Sequence, residues 1–294
     1  MKGNFVYSSL SFMIISPLRY AGSKRKLFNY LERVSSYNNL SPQILIEPFA
    51  GGGSVFLNFL FRHEKGKAII ADKDELVYSF WKTLFDEPDY LIRFIRRARV
   101  NLKTFDKYRY ISSHTAEFNR KKLAEACLFL NRTSFSGILN DSASPIGGRQ
   151  QKSIYKIDCR FGRKNLIKKI KDISVFKKRV MVLPYDWENT LRYVARKKKY
   201  ENKSLLFYFD PPFYKKADQL YRHYFNEMSH KNLRDKLMKL KQPWILSYDR
   251  AKEIQNLYSD FTKINVSMPY SINSSAKRLE KELIITPLKL PSRI

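Results

Sequence analysis

The chain has 294 residues, enough to bury a sizeable core as one large domain or two smaller ones. Lys and Arg number 56 against 27 Asp and Glu, and the resulting net charge of +29 builds a positive field that attracts polyanions. No apolar run reaches the roughly 18 residues of a membrane span, and Val6–Ile15 is too short and too interrupted for a signal peptide.

Residues Arg19-Tyr20-Ala21-Gly22-Ser23-Lys24 form a basic turn, and Leu27, Tyr30, Leu31 and Val34 behind it carry the spacing of an amphipathic helix. Backbone N–H groups at such a helix start, with Lys24 beside them, can hold an anionic group. The stretch Ile44-Leu45-Ile46-Glu47-Pro48-Phe49-Ala50-Gly51-Gly52-Gly53-Ser54 reads as a strand, a glycine turn and a helix start. Consecutive glycines let the backbone turn sharply and approach a ligand closely. The spacing is not that of a dinucleotide fold, and the lysine of a P-loop is absent, so no pyrophosphate is implied. A second strand, Ala68–Ala71, ends at Asp72, where an acidic residue can bond ribose hydroxyls. A glycine turn without a phosphate grip plus a ribose-binding acid points to a nucleoside, and S-adenosylmethionine is the obvious nucleoside cofactor.

From about Lys82 to Lys203 the pattern changes, turning helical and then strongly basic. Arg93, Arg96, Arg97 and Val100 recur at helical spacing, and Lys122–Asn131 reads as a largely buried helix. Asn131-Arg132-Thr133-Ser134-Phe135-Ser136-Gly137 follows, then a loop and a segment carrying Arg149, Lys152, Lys156, Arg160, Arg163 and Lys164 among Tyr155 and Phe161. Amides, guanidiniums and lysines in this mixture suit DNA: Arg and Asn read base edges while lysines set register on phosphates. The strand Val180–Leu183 leads to Asp186-Trp187, a carboxylate with an adjoining indole that can bond and cover an adenine ring.

Leu205–Phe209 is a buried strand stopped by Asp210-Pro211-Pro212-Phe213. Its end places a carboxylate, freed carbonyls and an aromatic ring at the carboxyl edge of a sheet, a grip suited to an amino group on a planar base. A helix over Ser229–Leu240, a strand over Trp244–Tyr248 and a terminal hairpin between Val266 and Thr286 complete the chain. Two cysteines at no metal or disulfide spacing point to a reducing, cytoplasmic setting, and with four scattered histidines no metal site is expected.

These residues, in this order, resemble the Dam-like (D12 class) adenine-specific DNA methyltransferases. Arg19–Lys24 looks like that family's N-terminal cofactor motif, Glu47–Phe56 its glycine motif, Ala71-Asp72 its ribose motif and Asp210–Phe213 its catalytic tetrapeptide. Asn131–Gly137 is similar to the start of its target-recognition region, and Asn273–Thr286 to its closing hairpin. The resemblance implies an α/β fold: a seven-stranded Rossmann-like S-adenosylmethionine-dependent sheet with a terminal antiparallel hairpin. Residues 1–81 and 178–294 would form the catalytic domain, and 82–177 a mostly helical target-recognition insert. The implied catalytic residues are Asp210, Pro211, Pro212 and Phe213, the last standing where the family usually has tyrosine. Implied cofactor contacts are Tyr20, Lys24, Glu47, Gly51, Gly53, Asp72, Asp186, Trp187 and Asp210. Implied DNA contacts are Asn131, Arg132, Ser134, Ser136, Arg149, Lys152 and Asn273. Double-stranded DNA is the implied partner, with a cognate restriction endonuclease as a second. Cytosine N4, ribosomal RNA adenine and a non-catalytic DNA-binding module stay open as alternatives.

Overall fold

A computed structural model describes residues 13–19, 24–215, 221–270 and 278–291. Strands β1 (Ile44–Glu47), β2 (Lys67–Ala71), β3 (Val180–Leu183), β4 (Leu205–Phe209), β5 (Trp244–Asp249), β6 (Thr262–Tyr270) and β7 (Arg278–Thr286) form one sheet in the order β3-β2-β1-β4-β5-β7-β6. The first five lie parallel, and β7 runs antiparallel between β5 and β6. This is the seven-stranded α/β sheet with a terminal hairpin anticipated from the sequence.

Both faces of the sheet are covered, which is why its central strands read as unbroken apolar runs. The period of two sends Leu45, Ile70, Leu206, Tyr208 and Ile245 to one face. There they meet α1 (Arg25–Tyr37), α2 (Ser54–Arg62) and α3 (Glu75–Asp86). Ile44, Ile46, Ile69, Phe207, Phe209 and Leu246 go to the other, against α8 (Trp187–Ala195), α9 (Glu227–Met238) and α10 (Lys252–Leu257).

Between α3 and β3 lie α4 (Pro88–Arg97), α5 (Leu102–Ser113), α6 (Arg120–Thr133) and α7 (Arg163–Ser174). Their starts follow local chemistry: Asp74, Asn101 and Asn119 accept from the N–H of Leu76, Thr104 and Lys122, capping α3, α5 and α6, and Pro88 opens α4. Arg93, Arg96 and Arg97 form an exposed face of α4, and Val100 lies past its end. These helices share one apolar cluster with α1–α3, through Phe80 and Leu84 of α3, Leu91 of α4 and Leu128 of α6. Position 81, where the catalytic part was expected to give way to the insert, falls inside α3.

The parallel order reverses between β1 and β4, so their carboxyl ends diverge and leave a crevice, the place where open α/β sheets bind ligands. No helix among the described residues is long and apolar enough to cross a membrane.

Candidate active site

A pocket opens at that crevice, lined from the ends of four strands: Glu47 to Val55 after β1, Asp72 to Asp74 after β2, Asp186 to Glu188 after β3, and Asp210 with Pro212 after β4. The glycine turn is its floor. Gly53 has φ +69°, and a Cβ there would stand 2.5 Å from Phe56 and 2.6 Å from Trp81, so only glycine fits. Gly51 (φ +41°) donates its N–H to Asp72 Oδ2 at 2.9 Å and accepts from Trp81 Nε1 at 2.9 Å. Asp72 Oδ1 accepts from the Asp74 N–H at 2.9 Å. Burial and the neighbouring Asp74 charge push the Asp72 carboxyl up to about 7, against the two backbone N–H donors that favour its charge. Glu47, buried, spends Oε2 on the Phe56 N–H at 2.9 Å, and burial holds its carboxyl well above the usual range. Its visible work is to pin the first turn of α2 behind the glycines. Asp186 caps α8 through the Asn189 N–H at 2.7 Å, and Trp187 beside it is a core residue with an edge on the pocket.

Asp210 sits where β4 stops. Its Oδ1 accepts from Ser247 Oγ at 2.8 Å and pairs with Lys24 Nζ at 3.1 Å. Lys24, expected among the cofactor contacts, is buried, and its ammonium lies between Asp210 and Glu282 Oε1 at 2.9 Å, although the residue also lines the pocket. The same ammonium is 5.3 Å from the Phe213 ring centre, and Tyr221 meets that ring edge-on at 6.0 Å. Burial raises the Asp210 carboxyl, Lys24 opposes this, and Glu282 adds to it. The chain beyond Phe213 is held by Asp249, which accepts from the Tyr214 and Lys215 N–H groups at 2.7 and 3.3 Å.

Several pocket residues have no counterpart in the sequence reading. Tyr221, Arg222, His223, Tyr224 and Phe225 line the crevice opposite the glycine turn. Arg222 ties them down, donating to Asp74 Oδ1 and to the Ser112 carbonyl, both at 2.8 Å. Phe225 packs edge-on against Phe49 at 5.8 Å. The available signal was an arginine set among aromatic residues a few positions after Asp210–Phe213. For Ser247 it was a polar residue inside an apolar strand, whereas Glu282 follows Glu280 and Lys281 and carried no such signal.

The residues expected on DNA divide sharply. Asn131 is fully buried: Oδ1 accepts from the Arg19 N–H at 2.6 Å, and Nδ2 donates to the carbonyls of Arg19 at 2.7 Å and Gly137 at 3.0 Å. Its amide is spent on backbone, which corrects the expectation that it reads a base edge. Ser134 is likewise buried and pairs with Pro145, so it too is internal. Arg132 lies half-buried with Nε on the Arg160 carbonyl at 2.7 Å; burial, Arg19 and Arg160 push its guanidinium down to about 10, still charged at neutral pH. Ser136 (φ +56°) lines the pocket mouth. Beside it Phe135 is 54% exposed, an apolar ring at the tip of a turn that the sequence reading left without a role. Arg149, paired with Asp106 at 2.6 Å, and Lys152 are exposed on the following loop, where Ile154 is 93% exposed. Tyr20 and Asn273 lie outside the described residues.

The amino-acid sequence is similar to known proteins. Residues 20–272 fit the model of the D12 class N6 adenine-specific DNA methyltransferases. A type II methyltransferase of Methanocaldococcus jannaschii, M.MjaIII, is 26% identical over 219 residues, covering 67% of this chain and 68% of that protein. A DNA N-6-adenine-methyltransferase of Escherichia phage P1 is 33% identical over 128 residues, 42% of this chain and 16% of that protein. With most of its length inside the family's model and the motifs gathered around one pocket, the chain belongs to the D12 class N6 adenine-specific DNA methyltransferase family.

Proposed function

We propose that the protein transfers a methyl group from S-adenosylmethionine to the N6 amine of an adenine swung out of duplex DNA. The observation that carries this reading is Asp210: Oδ1 is held by Lys24 and Ser247, and the carboxylate faces the pocket beside the glycine turn. The crevice suits the donor. Gly51, Gly52 and Gly53 line it, and Asp72 keeps lone pairs for ribose hydroxyls after accepting two N–H bonds. Bound there, S-adenosylmethionine supplies an electrophilic methyl group.

The chain's own task is to bind and aim the amine. Adenine's exocyclic nitrogen is a poor nucleophile because its lone pair is delocalised into the ring. Accepting its protons on Asp210 and the Pro211 carbonyl favours a more tetrahedral nitrogen, the bond to the charged Asp210 contributing roughly 1.5–3 kcal/mol and that to the neutral carbonyl about 1 kcal/mol. Pro212 closes the turn, and Phe213 offers a face on which the base can stack for about 1–3 kcal/mol. That offsets part of the few kcal/mol needed to extract the base. Alignment of the amine with the methyl group is the larger gain.

Residues 82–177 serve as the target-recognition unit. Arg132, Ser136, Arg149 and Lys152 reach the duplex and Phe135 stacks at the pocket mouth, while Asn131 and Ser134 shape the unit from within. The type II name of the archaeal relative supports a cognate restriction endonuclease as partner. The test is tritiated S-adenosylmethionine with unmethylated genomic duplex DNA, followed by nucleoside analysis. Label in N6-methyladenine is expected; label only in N4-methylcytosine, or only when RNA replaces DNA, overturns the reading.

A further inference from the structure

We infer that Ser247 and Glu282 are positioning residues for the methyl-transfer step: together they lock the Asp210 carboxylate so that Oδ1 is occupied and Oδ2 is offered to the adenine amine. The inference rests on the reading of Asp210 as the amine's acceptor and extends it to two residues from the far strands of the sheet.

The geometry is a buried chain of polar groups around one oxygen. Ser247, on β5, is fully buried and has one hydrogen to give, which goes to Asp210 Oδ1 at 2.8 Å. The 2.8 Å contact between Ser247 Oγ and Tyr208 Oη therefore has the tyrosine as donor. Tyr208 is itself buried on β4, two residues before Asp210, so strand packing fixes the start of this relay. From the other side Lys24 reaches the same Oδ1 at 3.1 Å. Lys24 alone would swing onto Asp210 and neutralise it. Glu282, on β7 and just 2% exposed, takes the ammonium at 2.9 Å and shares its charge. Oδ1 thus has two partners from two directions, while Oδ2 accepts no hydrogen bond among the described residues. A carboxylate held this way cannot rotate to present its occupied oxygen.

A buried serine and a buried glutamate inside a sheet are expensive to keep unless they are paired. Here both are paired, and both pairings converge on the residue that meets the substrate. The groups facing Asp210 are Lys24 ahead of α1, Glu47 at the end of β1, Tyr208 on β4, Tyr248 on β5, Tyr221 beyond the tetrapeptide and Glu282 on β7.

The two residues act on the carboxylate with opposite sign, which gives the test. Ser247 stabilises the charged form by donating to it, and Glu282 opposes the charged form by its own charge. In steady-state transfer to unmethylated genomic duplex DNA, Ser247→Ala should move the acid limb of the kcat profile to higher pH. Glu282→Gln should move it to lower pH. Each should lower kcat at neutral pH by roughly ten- to a hundredfold with KM values for DNA and S-adenosylmethionine little changed. Tyr208→Phe, which removes the donor behind Ser247 and keeps the ring, should shift the limb in the Ser247→Ala direction by less. Circular dichroism melts of each variant verify that it is folded, and Tyr208→Phe replaces Ser247→Ala if the latter is not. Acid limbs that coincide with wild type, or that move the same way in both charge-related variants, refute the positioning role. Wild-type enzyme that labels no DNA refutes the acceptor reading beneath it.

Discussion

Asn131→Ala separates a recognition residue from an internal brace. The wild-type amide makes three hydrogen bonds, of 2.6, 2.7 and 3.0 Å, to backbone groups of Arg19 and Gly137. Removing it leaves an N–H and two carbonyls without these partners at a fully buried position. At about 1 kcal/mol per hydrogen bond, and more for each group left unsatisfied, the loss comes to roughly 3 kcal/mol. Against a total stability of about 5–15 kcal/mol that is a large fraction, equivalent to a drop in Tm of about 5 °C for a chain of this size. The assay pairs a urea or thermal melt with sequencing of the sites methylated in genomic DNA. The expected result is a destabilised protein that methylates the same sequence. A variant of wild-type Tm with altered or relaxed site choice would refute the brace and restore Asn131 as a reader of bases.

Gly53→Ala should destabilise the protein by about 3 kcal/mol, combining left-handed backbone strain with overpacking against Phe56 and Trp81, as read from a denaturant midpoint; an unchanged midpoint counts against the crowded turn. Phe213→Tyr should keep transfer activity and Phe213→Ala should lose most of it, since the ring's stacking face is what the reading uses; equal loss in both would point to a different role. Asp72 sets a pH dependence with a defined sign. Its folded carboxyl titrates near 7, above the ordinary 3.8, so between those values the folded state binds more protons than the unfolded one. Stability therefore falls as pH rises through that window and levels off above it. Asp72→Asn should flatten that slope in denaturant titrations taken from pH 4.5 to 8, and a slope identical to wild type would show that Asp72 is ionised throughout.

What the sequence made legible was local. The glycine turn, the apolar run ending in Asp-Pro-Pro and the Asp closing β2 each declare themselves within a few residues. The five parallel strands were readable for the same reason, because a doubly covered sheet writes its strands as apolar runs. What stayed hidden depends on pairs distant along the chain. Ser247 meets Asp210 across 37 positions, Asn131 meets Arg19 across 112, and Lys24 meets Glu282 across 258. Nothing in a local pattern distinguishes an asparagine that reads a base from one that clamps a backbone, since both donate and accept through the same amide.

Lys24 shows how this alters the chemistry and not just the map. Beside a helix start, a lysine reads as an anion holder for a ligand. Placed 3.1 Å from Asp210 and 2.9 Å from Glu282, its charge is already committed inside the protein. Exposed cations such as Lys152, Arg160 and Lys164 are instead placed to contribute to the positive field outside the protein. On the proposed acceptor role of Asp210, Lys24 sets how much negative charge that carboxylate presents to the amine. On that proposal two lysines of equal sequence appearance serve opposite ends of the reaction, one gathering the polyanion and the other tempering the acceptor, and burial decides which does which.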